Sequence, residues 1–309
     1  MVTGRGKQQK KQVYGYEKRK KITGYQVFSV CNVILMLFVI LVTLYPVYYI
    51  VIASFSDPGA LSRHTGLLLA PLEPYTGRAY QLVFQNPQIV TGFQNTLFVL
   101  AVGLLINLSL TMLGAFFLTI KGPMLKNVIT FMIIFTMYFS GGLIPSYLNV
   151  KDLGLMNSLW ALILPGAIST TNLFIMKSAF QSIPNSLIES ARLDGASYFQ
   201  ILVRVMTPLS KATIAVMVLY YGVGHWNSWF SASIYLRAGD KFPLQLVVRN
   251  ILNISASAMS SDVGMDEMAQ MADLIKYALI VVTAAPILAI YPFLQKYFVK
   301  GVMVGAIKG

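Results

Sequence analysis

The residues best suited to bind a solute are polar and aromatic side chains set into an otherwise apolar stretch, residues 212–235. An aromatic ring beside an amide offers an apolar face together with hydrogen-bonding groups, which is a suitable surface for weak contact with a polar solute. A second candidate is Asn172, in the apolar stretch 157–177. At helical spacing the first group falls into two neighbouring stripes, which are Tyr220, Gly224, Asn227 and Ser231, and Tyr221, His225, Ser228 and Trp229.

A different signal lies in residues 181–211, where the chain becomes polar again. Ser186 and Glu189 have the spacing of a capping box, which predicts a helix over 187–194 of about 12 Å. Gly195 is a natural stop for this helix, because glycine adopts left-handed backbone angles without a steric penalty.

No known catalytic or nucleotide-binding signature accompanies these residues. The sequence has no G-x-x-x-x-G-K-[ST] phosphate loop, no H-E-x-x-H and no G-x-S-x-G elbow. Its single cysteine, Cys31, excludes a disulfide framework and a thiolate metal site, and its two histidines exclude a histidine-rich metal centre. We therefore expect no catalytic residues and no metal site, and we expect that the chain moves or anchors something without supplying the energy itself.

The composition indicates that these residues lie in a lipid bilayer. Hydrophobic residues make up 56% of the chain and charged residues 11%, whereas a soluble domain carries about 25% charged residues. This deficit argues against a disordered chain, a water-soluble enzyme and a nucleic-acid-binding module, despite a net charge of +13. The sequence is that of an integral membrane protein.

Six stretches free of Asp, Glu, Lys and Arg are long enough to cross a bilayer, which takes roughly 20 residues. Strands of a membrane barrel would alternate apolar and polar residues, and these stretches do not. A basic tail, residues 1–21, precedes a transmembrane domain over 22–309. The sequence therefore predicts an all-α integral membrane protein with six transmembrane helices at about 27–53, 95–119, 128–148, 157–177, 212–235 and 275–295.

The distribution of lysine and arginine predicts the orientation. With the amino terminus in the cytoplasm, the inner segments hold 17 basic and 3 acidic residues, and the outer segments hold 7 basic and 8 acidic residues. The positive-inside rule then places both termini and the polar segment 181–211 in the cytoplasm. It places the loops 57–91 and 237–276 outside, and it explains the basic charge without a nucleic-acid partner.

A second helix is expected after Gly195, over 197–206. It should end before Pro208, because the residue that precedes a proline, here Thr207, is pushed away from helical angles. The polar segment therefore predicts a short helix, a glycine turn and a second helix, lying along the cytoplasmic surface of the membrane.

Polar residues inside a span have more than one interpretation, because they face either a cavity or another helix. The alternative to solute contact is that Trp226 and Trp229 anchor the helix at the membrane interface and that Asn227 makes a helix-packing hydrogen bond. For Asn95 and Asn107 in the second span, a hydrogen bond between helices is the preferred interpretation.

Residues 189–208 resemble the EAA loop of bacterial ABC importer permeases. The family pattern is E-A-A-x3-G-x9-I-x-L-P, and Glu189-Ser190-Ala191, Gly195 and Val205-Met206-Thr207-Pro208 stand at its positions here. The carbohydrate branch is indicated further by Leu143-Ile-Pro-Ser-Tyr147, His225-Trp-Asn-Ser-Trp-Phe230 and the run from Lys300 to Gly309. Because of these residues, the chain is identified as a member of the family of permease subunits of carbohydrate ABC importers, in the polysaccharide-type branch.

The resemblance implies a MetI-like type I importer fold in which the EAA segment is a coupling helix, seated in a cleft of a cytoplasmic ATPase. Glu189 would then either pair with a basic residue of the ATPase or cap its own helix. Small side chains at Ala191 and Gly195 would let the helix seat closely. The residues implied to couple to the ATPase are Glu189, Ser190, Ala191, Asp194 and Gly195.

The implied partners are a second, related permease subunit, two ATP-binding cassette subunits, an extracytoplasmic solute-binding protein and membrane lipid. ATP and Mg²⁺ would belong to the ATPase, so this chain would need no cofactor and would not be an enzyme. The implied location is the bacterial cytoplasmic (inner) membrane.

The implied function is ATP-driven import of oligosaccharides or polysaccharide fragments, with acidic fragments of the alginate or rhamnogalacturonan type as the finer expectation. The spans supply no clear cationic group for a uronate, which leaves charge neutralisation to loops or to the partner subunit. Two alternatives remain at this point. One is a permease for another small solute, and the other is an ATP-independent carrier, which would need buried acids or an internal duplication.

Overall fold

The computed structural model describes residues 24–120, 122, 124–258, 274–290 and 292–293. The described residues form helices and connecting loops without a strand, which confirms the all-α prediction. The predicted basic tail and the Lys300–Gly309 run lie outside the described residues. The chain divides into two compact units, residues 1–49 and 50–309.

The first unit is described by α1, Gly24–Ala53, as far as Tyr49. The helix is apolar on all sides, as is typical of a membrane span, and thirty residues give it enough length to cross a bilayer. Pro46 lies inside the helix without ending it. The helix coincides with the predicted first span, 27–53.

The second unit contains all the other described helices. A π-helical segment, Ile201–Met206, and two 3-10 turns, Leu159–Leu162 and Gly239–Lys241, complete its secondary structure. The helices are α2 (Pro58–Arg63), α3 (Arg78–Gln85), α4 (Pro87–Thr119), α5 (Lys126–Tyr138), α6 (Leu143–Asp152), α7 (Thr170–Gln181), α8 (Asn185–Leu193), α9 (Tyr198–Gln200), α10 (Thr207–Leu209), α11 (Lys211–Trp226), α12 (Trp229–Tyr235), α13 (Leu244–Ala258) and α14 (Leu274–Ile290).

Helix α4 is the centre of the second unit and packs against α7, α11 and α13. It begins at Pro87 rather than near residue 95, because Asn86 caps it there: the Asn86 carboxamide oxygen accepts the Gln88 backbone N–H at 2.9 Å. Pro87 fits the first turn, where a backbone N–H needs no partner. With 33 residues, α4 is about 50 Å long.

Two predicted spans in the middle of the chain are not continuous helices, and both predictions were wrong in this respect. The predicted span 128–148 is split into α5 and α6, which are bent by 119° where Gly142 adopts a φ of +88°. The predicted span 157–177 contains a 3-10 turn and α7, separated by an irregular stretch around Pro165 and Gly166. Proline lacks the amide donor and glycine favours irregular backbone, so the helix does not continue through them.

The last two predicted spans match the structure to different extents. The predicted span 212–235 is interrupted at Asn227 and Ser228, which separate α11 from α12. The predicted span 275–295 corresponds to α14 over Leu274–Ile290. By length and composition, α1 and α4 are each long and apolar enough to cross a membrane on their own. Two further crossings are possible only if a bent pair of helices counts as one span: α5 with α6, and the helical stretch from α9 to α10 with α11.

Buried apolar side chains form three clusters along α4. At its amino-terminal end, Ile89 packs with Leu244 and Val247 of α13 and with α14. In the middle, Val99 packs with the 3-10 turn and α12. At the carboxyl-terminal end, Phe116 packs with α7 and the π segment. One helix therefore connects α13 at one end with the segment that follows α7 at the other.

Candidate functional site

Helix α8 is the short helix predicted in the polar segment 181–211. It runs over Asn185–Leu193 instead of 187–194. The predicted capping box of Ser186 and Glu189 is wrong: Pro184 occupies the cap position and the helix has no side-chain cap bond. Since the helix starts two residues early, Ser186 already lies in its first turn and cannot cap it.

The carboxyl-terminal end of α8 is closed by backbone bonds, as the glycine predicts. Gly195 has a φ of +80° and its N–H donates to the Arg192 carbonyl at 3.0 Å. The Ala196 N–H donates to the Ala191 carbonyl at 2.9 Å. These two bonds form a Schellman motif, in which Ala191 and Ala196 both pack against the apolar cluster. The helix stop at Gly195 is confirmed.

The following helix has the capping box that α8 lacks. The Ser197 hydroxyl accepts the Gln200 backbone N–H at 3.3 Å, and the Gln200 side-chain oxygen accepts the Ser197 backbone N–H at 2.7 Å. The chain then passes through the π segment and continues helically to Leu209, so the predicted end before Pro208 is wrong. The N–H of Thr207 bonds to the carbonyl of Leu202, five residues back, and Pro208 then falls in the first turn of α10, where no donor is required.

The side chains implied to couple to an ATPase divide by exposure. Glu189, Ser190, Asp194 and Gly195 are exposed, whereas Ala191 is half-buried. Among the described residues, the Glu189 carboxylate has no hydrogen-bond or ion-pair partner, so it does not cap its own helix. A carboxylate in this state is available to a cationic group of another protein.

The inner face of α8 borders a small cavity of about 110 Å³, which also involves Phe116 and Ile120 at the end of α4. The Arg192 side chain donates to the Tyr198 hydroxyl, and its guanidinium carbon lies 4.8 Å from the Tyr198 ring centroid. Arg192 therefore ties α8 to α9 across the glycine turn.

The second candidate region is a polar cleft where the chain enters α7. Its volume is about 360 Å³. It contains four of the six residues predicted for a solute pathway, and these come from both α7 and α11. The cleft is lined by Gly166, Ser169, Asn172, Tyr220, Tyr221, Gly224 and His225.

Two of the cleft residues also hold the irregular backbone before α7 in place. The Tyr221 hydroxyl accepts the Ser169 N–H at 2.9 Å and bonds to the Thr111 hydroxyl at 2.8 Å. The His225 Nε2 bonds to the Asn107 side-chain oxygen at 2.7 Å. Side chains on α4 and α11 thus satisfy backbone groups that the interrupted helix leaves free, as a low-dielectric surrounding requires.

Asn107 completes this network, because its side-chain nitrogen donates to the carbonyls of Gly166 at 3.1 Å and Ala167 at 2.9 Å. The predicted hydrogen bond between helices is therefore confirmed for Asn107. Asn95 instead donates to the carbonyls of Asp240 and Phe242, which lie at the 3-10 turn before α13. Sequence reasoning missed Thr111 and Ser169, since a lone hydroxyl in an apolar run gives no signal of its partner.

Asn172 differs from its neighbours in the cleft. The residue is 6% exposed, yet its carboxamide has no hydrogen-bond partner among the residues that the structure describes. A buried amide normally has such a partner. Its donor and acceptor are therefore available to water or to a solute that occupies the cleft.

Asn227 and Trp229 do not line the cleft, because the chain turns away between α11 and α12. Asn227 is exposed. Trp229 lies beneath Arg249 of α13, whose guanidinium carbon is 4.0 Å from the indole centroid, and contacts the Phe230 ring at a centroid distance of 5.5 Å. Sequence reasoning missed Arg249 because it searched for polar groups only inside the spans.

Known proteins share both regions with this chain. The sequence pattern of the family described as "Binding-protein-dependent transport system inner membrane component" matches residues 111–304, which include α8 and the cleft helices α7 and α11. Protein LplC of Bacillus subtilis (strain 168) is 39% identical over 284 residues, which are 92% of this chain and 96% of that protein.

Two further relatives are named for acidic polysaccharides. The polygalacturonan/rhamnogalacturonan transport system permease protein YtcP of Bacillus subtilis (strain 168) is 37% identical over 273 residues, covering 87% of this chain and 94% of that protein. A chain in the crystal structure of a bacterial ABC transporter involved in the import of the acidic polysaccharide alginate superposes with a TM-score of 0.80. That chain is 30% identical, and the match covers 93% of this chain and 100% of that one.

Proposed function

The chain belongs to the binding-protein-dependent transport system inner membrane components, among permeases of ABC importers for sugars and polysaccharides, and from this premise we propose that it imports acidic polysaccharide fragments. Support for the acidic class comes from YtcP, named for polygalacturonan and rhamnogalacturonan, and from the alginate transporter. ATP hydrolysis is assigned to partner subunits, with ATP and Mg²⁺ bound there and not by this chain.

The proposed arrangement is a six-span domain over 22–309 in the cytoplasmic membrane, with the tail 1–21 and both termini inside. Three of the crossings are interrupted ones, built from α5 with α6, from the 3-10 turn with α7, and from α11 with α12. Interrupted spans are tolerated where the freed backbone is buried in protein or lines a cavity. The network of Asn107 and Tyr221 meets this condition around the entry to α7.

The proposed coupling element is α8. It is nine residues long, its carboxyl-terminal end is closed by the Schellman motif, and Arg192 ties it to α9. Such a unit moves as a rigid body when two ATPase subunits close, and it passes the motion to α7 and to the π segment. The observation that carries this assignment is the exposed Glu189 carboxylate without a partner among the described residues.

The proposed pathway runs past the polar cleft. Asn172 offers an amide that has no hydrogen-bond partner among the described residues, and Tyr220, a residue that is 47% exposed, offers its ring. Since one chain of this size encloses little volume, a second, related permease subunit is proposed to form the other wall. An extracytoplasmic solute-binding protein, after which the family is named, is proposed to dock on the loops 57–91 and 237–276.

The coupling proposal is tested by reversing the charge of Glu189 in the complete importer. We expect Glu189→Lys to lower the amount of ATPase that co-purifies with the permease by about tenfold or more, because a favourable charge contact becomes a repulsive one. ATP-dependent uptake of trigalacturonate into proteoliposomes should fall in parallel.

Asp152→Lys is the matched control, since it makes the same charge reversal at an exposed acid at the end of α6. It should leave co-purification unchanged. Normal association of the Glu189→Lys variant would refute the role of α8, and uptake in vesicles without ATP would refute the importer itself.

A further inference from the structure

Beyond the carboxyl-terminal end of α11, the first residue of α12, Trp229, lies beneath an arginine of α13, Arg249. The Arg249 guanidinium carbon lies 4.0 Å from the centroid of the Trp229 indole. In the described part of the chain, Arg249 forms no ion pair. Its side chain is exposed, and Phe230 beside Trp229 is 52% exposed.

Within the second unit, this pair lies at the far end of α11 from the coupling segment, by which we mean α8, α9, the π segment and α10 (residues 185–209). Helix α11 begins at Lys211, directly after α10, and its sixteen residues separate the coupling segment from Trp229 by about 24 Å. Arg249 itself belongs to α13, which packs against the amino-terminal end of α4 and against α12. If α8 faces the cytoplasm, the pair is on the side from which a solute arrives.

The other basic groups nearby are arranged differently. The Lys241 ammonium is engaged, because it donates to the Asn157 carbonyl at 2.8 Å. Arg237 is exposed without a ring beneath it. Among the described basic residues, only Arg249 combines a guanidinium fork, an indole that covers one of its faces, and a second exposed ring.

We propose that Arg249, held over Trp229, binds the carboxylate of an incoming uronate residue and selects acidic over neutral saccharides. This proposal rests on the proposed function. Stacking on the indole fixes the guanidinium and leaves its N–H edges free to bind a carboxylate with two parallel hydrogen bonds. The neighbouring Phe230 ring offers an apolar surface to a CH face of the sugar, and the exposed Asn227 amide lies on the same turn between α11 and α12.

The test compares trigalacturonate with its trimethyl ester, which keeps the sugar but removes the charges. Binding to the purified importer complex, without its solute-binding protein, is measured by isothermal titration calorimetry. We expect the parent to bind the acid about tenfold more tightly than the ester, as a charge-assisted bidentate contact implies. In Arg249→Gln the preference should disappear, and in Arg249→Lys it should be reduced.

Arg237→Gln is the matched control, because it removes one exposed positive charge from the loop that precedes α13 and should keep the preference. Equal binding of acid and ester by the parent would overturn the proposal, as would equal loss in Arg237→Gln and Arg249→Gln. Uptake by the complete importer tests the proposed function separately: a parent that imports neutral saccharides and no galacturonate contradicts the acidic substrate class, whatever Arg249 does.

Discussion

The coupling segment is stabilised by hydrogen bonds between residues close in the sequence, whereas the polar cleft, which is adjacent in the chain, is stabilised by hydrogen bonds between distant residues. In the coupling segment, the Schellman motif at Gly195 and the capping box at Ser197 join residues three to five positions apart. In the cleft, the bonds of Asn107 and Tyr221 join residues 52 to 118 positions apart. The first region can therefore move as one unit, whereas the second depends on the relative positions of α4, α7 and α11.

The comparison predicts the largest effect for Gly103→Ala, where α4 approaches α11. A β-carbon at Gly103 would lie 2.6 Å from His225 Nε2 and 2.9 Å from its Cε1, so the imidazole must move and its bond to Asn107 is lost. We expect the free energy of unfolding to fall by about 2–3 kcal/mol through overpacking and the lost bond. Thermal unfolding of the detergent-purified protein measures it.

Gly222→Ala is the matched control within α11. Its β-carbon would meet only Leu100 Cδ1 at 3.7 Å, an ordinary contact. Alanine also gains about 0.5–1 kcal/mol over glycine inside a helix, so the melting temperature should stay the same or rise. Equal destabilisation by both variants would contradict the importance of the α4–α11 contact.

An intermediate effect is expected from Tyr221→Phe, which removes only the hydroxyl shared by Thr111 and Ser169. The Ser169 backbone N–H loses its acceptor, which should cost about 1 kcal/mol in a membrane protein. Hydrogen exchange at the start of α7 should become faster. Tyr235→Phe is the control, since no hydrogen bond of the Tyr235 hydroxyl occurs among the described residues. An equal loss of stability in Tyr235→Phe would show that the effect does not depend on the bonds to Thr111 and Ser169.

The smallest effect is expected in the coupling segment, from Ser197→Ala. Loss of the cap on the Gln200 N–H should cost about 0.5–1 kcal/mol, and the faster hydrogen exchange should stay within 197–200. Ser186→Ala should change nothing, because Ser186 lies inside α8 and caps no helix. If Ser197→Ala accelerated hydrogen exchange at the start of α7 as strongly as Tyr221→Phe does, the coupling segment would not be stabilised independently of the cleft.

The same contrast explains what the sequence could and could not reveal. The stop at Gly195 depends on the conformational freedom of one residue, so it could be predicted. The start of α8 could not, because Pro184 and Ser186 both suit a helix start and three-dimensional packing decides between them.

In the cleft, the charge-free stretch 153–176 indicated a span but not its interruption. The break at Gly166 is stable only because Asn107, 59 residues away, donates to its carbonyl. Arg249 was missed for a related reason: it lies outside the predicted spans, and only the fold brings it over Trp229.

Helix α4 has the length and the end contacts that a lever between two parts of the second unit would need. It is uninterrupted over 33 residues, with the cavity behind α8 at one end and the packing against α13 at the other. For a stiff rod of about 50 Å, a tilt of about 5° displaces the far end by about 4 Å. If α4 pivots near its α8 end, a small displacement that closes the cavity behind α8 becomes a shift of about 4 Å at the end that packs against α13, without a change of conformation in any residue of α4.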